Sequence, residues 1–192
     1  MTASSTRSCR SLSCLAALLV LCAGLAAAPA RGDGIDVKRA ALISAEDGTY
    51  LEADFDIALT PALEDVLNKG VPLYFTLDFE LIRRRWYWFN ENIANARQQY
   101  RVSYNALTRQ YRVGARTLHQ NFATLAETLG FISRARLRIL AEPGTLGPGN
   151  SYTAAVRLRL DTSQLPRPFQ ISAVGSRDWS VGSEWHRWTV AP

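Results

Sequence analysis

Residues 71–81 read VPLYFTLDFEL, and this stretch decides the fold class. Apolar side chains hold its odd-numbered positions, while Asp78 and Glu80 are among the side chains at its even-numbered positions. Alternation of this length predicts a β-strand with one face in a hydrophobic core. The parity then changes, because Ile82 and Trp86 continue the apolar pattern at even positions. We therefore expect a bulge or bend near residues 82–85.

Short helices are predicted on both sides of this strand. Residues 60–70 begin with Thr60, which can cap free amides, followed by Pro61, which loses no hydrogen bond in a first helical turn. A second helix is predicted to begin at Asn121 and to end at Gly130, because its apolar residues recur at helical spacing. These two helices are the only ones that the pattern predicts.

The remaining stretches predict strands joined by hairpins. Asp47-Gly48 separates two runs within residues 35–59, an arrangement typical of a tight β-hairpin. A second hairpin is predicted over residues 97–116, and a third from the alternating runs 134–140 and 152–160, with a further strand over Phe169 to Val174. Seven to nine short strands without a βαβ rhythm predict a mainly β fold, an antiparallel β-sandwich or a partly open barrel with two short helices.

The first 30 residues have the composition of a secretory signal peptide. Arg7 and Arg10 precede an apolar run from Leu12 to Leu25, and small residues follow it. Cleavage after Ala30 leaves residues 31–192 as a single β-rich domain, exported to the periplasm. The weaker alternative is a lipoprotein attached through Cys22, in which case the protein is membrane-attached.

Composition and motifs point away from several classes of enzyme. All three cysteines lie within the first 22 residues, so the expected mature chain of 162 residues has none for disulfides, thiol catalysis or metal ligation. The sequence lacks a phosphate loop, a dinucleotide fingerprint, HExxH and G-x-S-x-G, and its two histidines, His119 and His186, are too few for a zinc site. We expect no cofactor, no metal and no catalytic residue. The alternative is a small envelope hydrolase that uses His186 with a nearby serine and acid.

Charge is distributed unevenly along the chain. Residues 33–65 hold nine acids and two bases, whereas residues 81–140 hold eleven arginines and two acids. Period-two geometry predicts that five arginines share one outward face of the third hairpin and, together with two tryptophans that follow a run of arginines, form a binding surface. These candidate residues are Arg134, Arg136, Arg138, Arg157, Arg159, Trp86 and Trp88.

Export restricts the partner that such a face can meet. Nucleic acid is not expected in the envelope, so a basic face predicts contact with a membrane, another cell-envelope component or an acidic protein surface. With no second apolar run of spanning length, we expect a protein that is peripheral to the membrane at most.

Four segments together resemble a family of exported bacterial proteins catalogued only as a domain of unknown function and sometimes labelled proline-rich signal-peptide protein. They are LDFELIRRRWYWFNE, YRVSYNALTRQYRVG, LPRPFQISAV and SRDWSVGSEWHRW. The resemblance implies export, supplies no catalytic residues, and implies a gene that often neighbours the gene of a membrane sensor kinase. We therefore expect a non-catalytic envelope or periplasmic binding or adaptor module, contacting an anionic surface or the outer part of a membrane protein such as a sensor kinase.

Overall fold

The computed structural model describes residues 34–45, 47–84, 90–139, 146, 150–173 and 176–190. The signal-peptide prediction and Cys22 lie outside these residues, as do Trp86 and Trp88. The strands of the described part are β1 (Gly34–Ala45), β2 (Gly48–Ala58), β3 (Leu73–Arg83), β4 (Glu91–Asn105), β5 (Gln110–Ala115), β6 (Leu118–Phe122), β7 (Arg134–Ile139), β8 (Tyr152–Leu160) and β9 (His186–Val190).

These strands form two antiparallel sheets. Sheet A has the order β1-β2-β7, and sheet B has the order β6-β5-β4-β3-β8-β9. Their apolar faces contribute to one buried cluster that runs from Ile35 to Val181. The mainly β fold is therefore confirmed, and its two separate sheets form a sandwich rather than a closed barrel.

β3 is a central strand of sheet B, between β4 and β8. Its odd-numbered side chains from Leu73 to Leu81 are at most 1% exposed, as the alternation predicts. The register with β4 shifts between Leu81 and Ile82, which confirms the expected irregularity at the beginning of the predicted range.

Three helices lie within the described residues, one more than predicted. They are α1 (Pro61–Asn68), α2 (Leu125–Ser133) and α3 (Arg167–Ala173). The side chain of Thr60 caps α1, as expected. The second helix begins later than predicted, because Asn121 and Phe122 belong to β6, and it continues through Gly130 to Ser133.

The strand predicted over Phe169 to Val174 was wrong, because residues through Ala173 form α3. Pro166 precedes this helix, and its carbonyl accepts hydrogen bonds from the amides of Phe169 and Gln170. Pro168 is the second residue of this helix, where its missing N–H costs no helical hydrogen bond, and this local effect overrides the β-propensity of the apolar residues that follow.

Hairpins one and two are confirmed, since β1 pairs with β2 and β4 pairs with β5. The third hairpin was wrong. β7 pairs with β2 in sheet A, whereas β8 pairs with β3 and β9 in sheet B. Alternation specifies which face of a strand is buried, but it does not specify the neighbouring strand.

Candidate anion-binding site

The five arginines expected on one hairpin lie on two different sheets. Arg134, Arg136 and Arg138 belong to β7 of sheet A, while Arg157 and Arg159 belong to β8 of sheet B. The expectation of one shared face was therefore wrong. Each group lies instead beside a strand that carries carboxylates, which reduces the repulsion between its arginines.

Sheet A largely neutralises its own arginines. On its outer face Arg134 lies opposite Asp54, and Arg136 lies opposite Glu52, with 3.4 Å between Arg136 Nε and Glu52 Oε1. Arg136 also lies over the ring of Tyr50 at 4.9 Å, and Arg138 donates a hydrogen bond to the backbone carbonyl of Asp47. Arg134 and Arg136 thus form a cross-strand charge ladder with β2, while Arg138 bonds to the backbone just before this strand.

Sheet B gathers three arginines around one carboxylate, an arrangement that we call the Asp78 centre. Asp78 is 5% exposed and lies between Arg97 of β4 and Arg157 of β8. Arg97 Nε is 2.7 Å from Asp78 Oδ1, and Arg157 Nε and Arg159 Nε are 3.1 and 3.2 Å from Oδ2. Arg157 also places Nη2 3.1 Å from Oδ2.

The Asp78 centre carries excess positive charge. Burial by itself would raise the pKa of Asp78, but hydrogen bonds from Arg97, Arg159 and Arg157 outweigh burial and hold this pKa below its usual value. The carboxylate is therefore ionised at neutral pH, and three guanidinium groups against one carboxylate leave a net charge of about +2.

The three guanidinium groups are oriented for a further partner. All three bind Asp78 through Nε, so that most of their terminal amino groups remain outside the contacts with this carboxylate. Arg97 has a side chain that is 70% exposed, whereas those of Arg157 and Arg159 are about one-third exposed. Guanidinium groups held in this way can donate paired hydrogen bonds to a carboxylate or a phosphate.

A segment before β9 supports the centre from the edge of sheet B. The guanidinium of Arg157 lies 4.4 Å from the ring centroid of Trp185, a cation–π contact. The backbone of Val181 and Ser183 bonds to Leu160 and Leu158, so this segment lies along β8. Trp185 is therefore a support for Arg157, a role that sequence spacing alone did not indicate.

Three more arginines extend the same surface. Arg101 lies four residues after Arg97 on the same face of β4. Arg112 of β5 lies opposite Ser103 of β4, and Arg187 of β9 lies opposite Ala155 of β8. All three are exposed, and in the described part of the chain none of them forms an ion pair. We call this outer surface of sheet B the arginine face, and its members are Arg97, Arg101, Arg112, Arg157, Arg159 and Arg187.

The two outer surfaces differ in charge. Six arginines of the arginine face stand against Asp78 and Glu80, a balance of +4. The outer face of sheet A has five bases and four acids, a balance of +1, and they are Lys38, Arg39, Arg134, Arg136, Arg138, Asp36, Glu52, Asp54 and Asp56. The basic surface is therefore on sheet B, and of the predicted arginines only Arg157 and Arg159 belong to it.

A shallow cleft of about 380 Å³ opens at the Asp78 centre. Its polar lining includes Glu80, Asn95, Arg97 and Trp185. A larger cleft of about 650 Å³ lies elsewhere, between α1, α2 and the end of β2, where Phe55, Leu125 and Leu129 contribute apolar lining. Charge, rather than cleft size, distinguishes the Asp78 centre as the candidate site.

No hydrogen bond between described residues joins His186 to a serine or a carboxylate, so the hydrolase alternative gains no support from this part of the structure. His186 is exposed, and its ring lies beside that of Trp188 in a tilted contact with the centroids 5.8 Å apart. Ser183 Oγ accepts a hydrogen bond from the amide of Leu158. Ser183 and Glu184 line one cleft, and His186 is not among the residues that line it. Within the described residues no group of three His, Cys, Asp or Glu side chains is placed to hold a metal ion.

Parity predicted the outward position of Asp78, but not its three partners. The residues around Arg97 show no alternation of apolar and polar side chains that would have identified this arginine as a partner of Asp78. The two partners on β8 were missed because the pairing of β8 with β3 was not predicted. In the part of the chain that is described, no helix is long and apolar enough to cross a membrane.

One comparison with known proteins gives a match. A family model described as a domain of unknown function (DUF4390) matches residues 32–189. No curated protein and no solved structure matches the chain. The resemblance to a family of unknown function is thereby confirmed, while export of the chain stays a prediction.

Proposed function

The chain belongs to the DUF4390 family, whose description assigns no activity, and from the charge of sheet B we propose that it is an exported, non-catalytic binding module of the cell envelope. It binds an acidic partner through the arginine face. The single observation that supports this proposal is the Asp78 centre, where one buried carboxylate holds three guanidinium groups.

The arginines of the Asp78 centre are held in place before a partner binds, and this preorganisation favours binding. A free arginine loses rotamer entropy when it binds, and holding Nε on Asp78 removes part of this cost before a partner arrives. The partner's carboxylates or phosphates then meet donors that are already in place. Such a surface increases the association rate and the specificity for acidic partners.

The shape of the surface favours a macromolecular partner. The arginine face extends over five strands, from Arg112 on β5 to Arg187 on β9, and the cleft at its centre is shallow. Small molecules usually bind in deeper, largely apolar pockets. We therefore propose an acidic protein surface in the envelope, such as the outer part of a membrane sensor kinase.

The proposal is tested with two matched double variants. Arg97→Gln/Arg187→Gln removes two charges from the arginine face and leaves Asp78 with two arginine partners. The control, Arg134→Gln/Arg136→Gln, removes two exposed charges from sheet A. Each pair contains one arginine with a carboxylate partner and one that forms no ion pair with the described residues.

Poly-L-glutamate serves as the acidic probe, and its binding is measured by fluorescence anisotropy at several salt concentrations. We expect the sheet B variant to bind about tenfold more weakly at low salt, with a smaller salt dependence, and the control to bind as the parent does. Equal losses in both variants would show only a response to net charge and would contradict a specific face. Absence of binding by the parent would also contradict the proposal.

A further inference from the structure

The loop between β4 and β5 exposes an apolar side chain at a fixed position. Leu107 is 96% exposed, the largest exposure among the large hydrophobic residues that the structure describes. It belongs to the four-residue loop 106–109, which we call the hairpin tip, and Asn105 pairs with Gln110 at the base of this loop.

Local hydrogen bonds hold the hairpin tip in place. Asn105 Oδ1 accepts from the amides of Leu107 and Thr108 at 3.0 and 3.3 Å, so the loop is closed by an Asx turn. Arg109 has a φ of 53°, which reverses the chain into β5. Leu107 is thus presented on an ordered turn.

Aromatic and basic residues surround the hairpin tip in a definite order. Immediately behind it, Tyr104 and Tyr111 face each other with ring centroids 4.8 Å apart, and the hydroxyl of Tyr111 donates to Asn68. Arg109 lies in the tip itself. On the other face of the hairpin Arg112 lies roughly 7 Å from the tip and Arg101 roughly 13 Å from it, at about 3.3 Å per residue.

This order matches the layers of a bilayer surface. Apolar side chains are stable among the acyl chains, tyrosine side chains are enriched at the interface, and arginines bind anionic headgroups. An isolated exposed leucine would need no explanation, but here a tyrosine pair lies directly behind the tip, Arg109 lies in it, and Arg112 and Arg101 lie farther back along the hairpin. We infer that the protein rests on an anionic membrane through the hairpin tip, with Leu107 inserted at the headgroup boundary.

This contact shares Arg101 and Arg112 with the arginine face but does not involve the three arginines of the Asp78 centre. Arg97 lies eight residues along β4 from Asn105, roughly 26 Å from the hairpin tip. With the tip at the membrane, the Asp78 centre is held above the surface, where it can meet the outer part of a membrane protein.

The test uses residues 31–192, because Asp33–Pro192 form a compact unit that contains the described core. Omitting the apolar run Leu12–Leu25 also removes a second lipid-binding segment. The probe is a vesicle of equal parts phosphatidylglycerol and phosphatidylcholine, and binding is measured by sedimentation. Leu107→Asp is compared with Leu118→Asp, which alters a leucine of β6 that is 58% exposed.

We expect Leu107→Asp to reduce vesicle binding about tenfold and Leu118→Asp to reduce it little. In a second measurement, the fluorescence of Leu107→Trp should be quenched by brominated phosphatidylcholine more strongly than that of the parent, while Leu118→Trp should not differ from the parent. Unchanged binding of Leu107→Asp, or absence of added quenching, would overturn the inference. Poly-L-glutamate binding by Leu107→Asp should equal that of the parent, so failure of the membrane contact leaves the proposed function standing.

Discussion

Asp78 is the residue on which the candidate site depends. It is almost fully buried on the outer side of a central strand, and its two oxygens accept hydrogen bonds from three arginines of two neighbouring strands. A buried carboxylate without such partners would be strongly destabilising. With them, it both joins β3 to β4 and β8 and orients the guanidinium groups.

Replacing Asp78 by Asn should therefore destabilise the protein. Asparagine keeps the size of the side chain but loses the negative charge, so three arginines are left close together without a counter-ion. We expect a loss of about 2 kcal/mol at pH 7, less than for a fully buried ion pair because the arginines are partly solvated. Denaturant unfolding measures this loss.

The pH dependence of that loss follows from the lowered pKa of Asp78 in the folded state. A depressed carboxyl pKa contributes stability above the unfolded pKa, about 4, and this contribution is lost as the pH falls through the folded pKa. The difference between parent and Asp78→Asn should thus be constant above pH 4 and decrease below it. The exposed Asp54→Asn variant is the control, and a difference that persists unchanged in acid would refute this account of Asp78.

At the scale of elements, the segment before β9 needs a close backbone approach to β8. A Cβ atom placed on Gly182 would lie 3.0 Å from Cβ of Arg159 and 3.4 Å from its Cα. Glycine therefore allows residues 181–183 to bond to β8 beside the Asp78 centre. Gly130 differs, because in the middle of α2 nothing lies within 4 Å of a Cβ atom built there.

Alanine at these two glycines should have opposite effects. Gly182→Ala should destabilise the protein by about 1 kcal/mol through overpacking against Arg159. Gly130→Ala should stabilise it by about 0.5 to 1 kcal/mol, because alanine favours the helix and restricts the unfolded chain. Thermal and denaturant unfolding give both values, and destabilisation by Gly130→Ala or neutrality of Gly182→Ala would contradict these local structures.

Periodicity predicted elements better than it predicted their neighbours. The strand at residues 71–81 and the helix opened by Thr60-Pro61 depend on local sequence, and both were found. The pairing of β7 with β2 and of β8 with β3 depends on contacts distant in sequence, where many strands compete for the same edge. The Asp78 centre depends on the second of these pairings, so the sequence indicated its carboxylate and two of its arginines but not their association.

At the scale of the molecule, strand order determines where positive charge remains. β7 lies beside the carboxylates of β2, which balance its arginines, whereas the outer face of sheet B holds six arginines against two acids. The sequence predicted acidic early strands and a basic later half, and the fold brings parts of both together in sheet A. Of the two outer faces that the structure describes, the arginine face is the one with a charge excess large enough to steer an acidic partner.

Binding through the arginine face is tested most directly by photo-crosslinking in intact cells, with a photoreactive residue at one position on each outer surface. A photoreactive residue replaces Gln99, which is exposed between Arg97 and Arg101, or Ile43, which is 39% exposed on sheet A. We predict a defined crosslinked product from position 99 that is absent from position 43. Adding Arg97→Gln/Arg187→Gln should abolish this product, and Arg134→Gln/Arg136→Gln should leave it unchanged. A product that forms equally from position 43, or that survives loss of Arg97 and Arg187, would contradict binding through the arginine face.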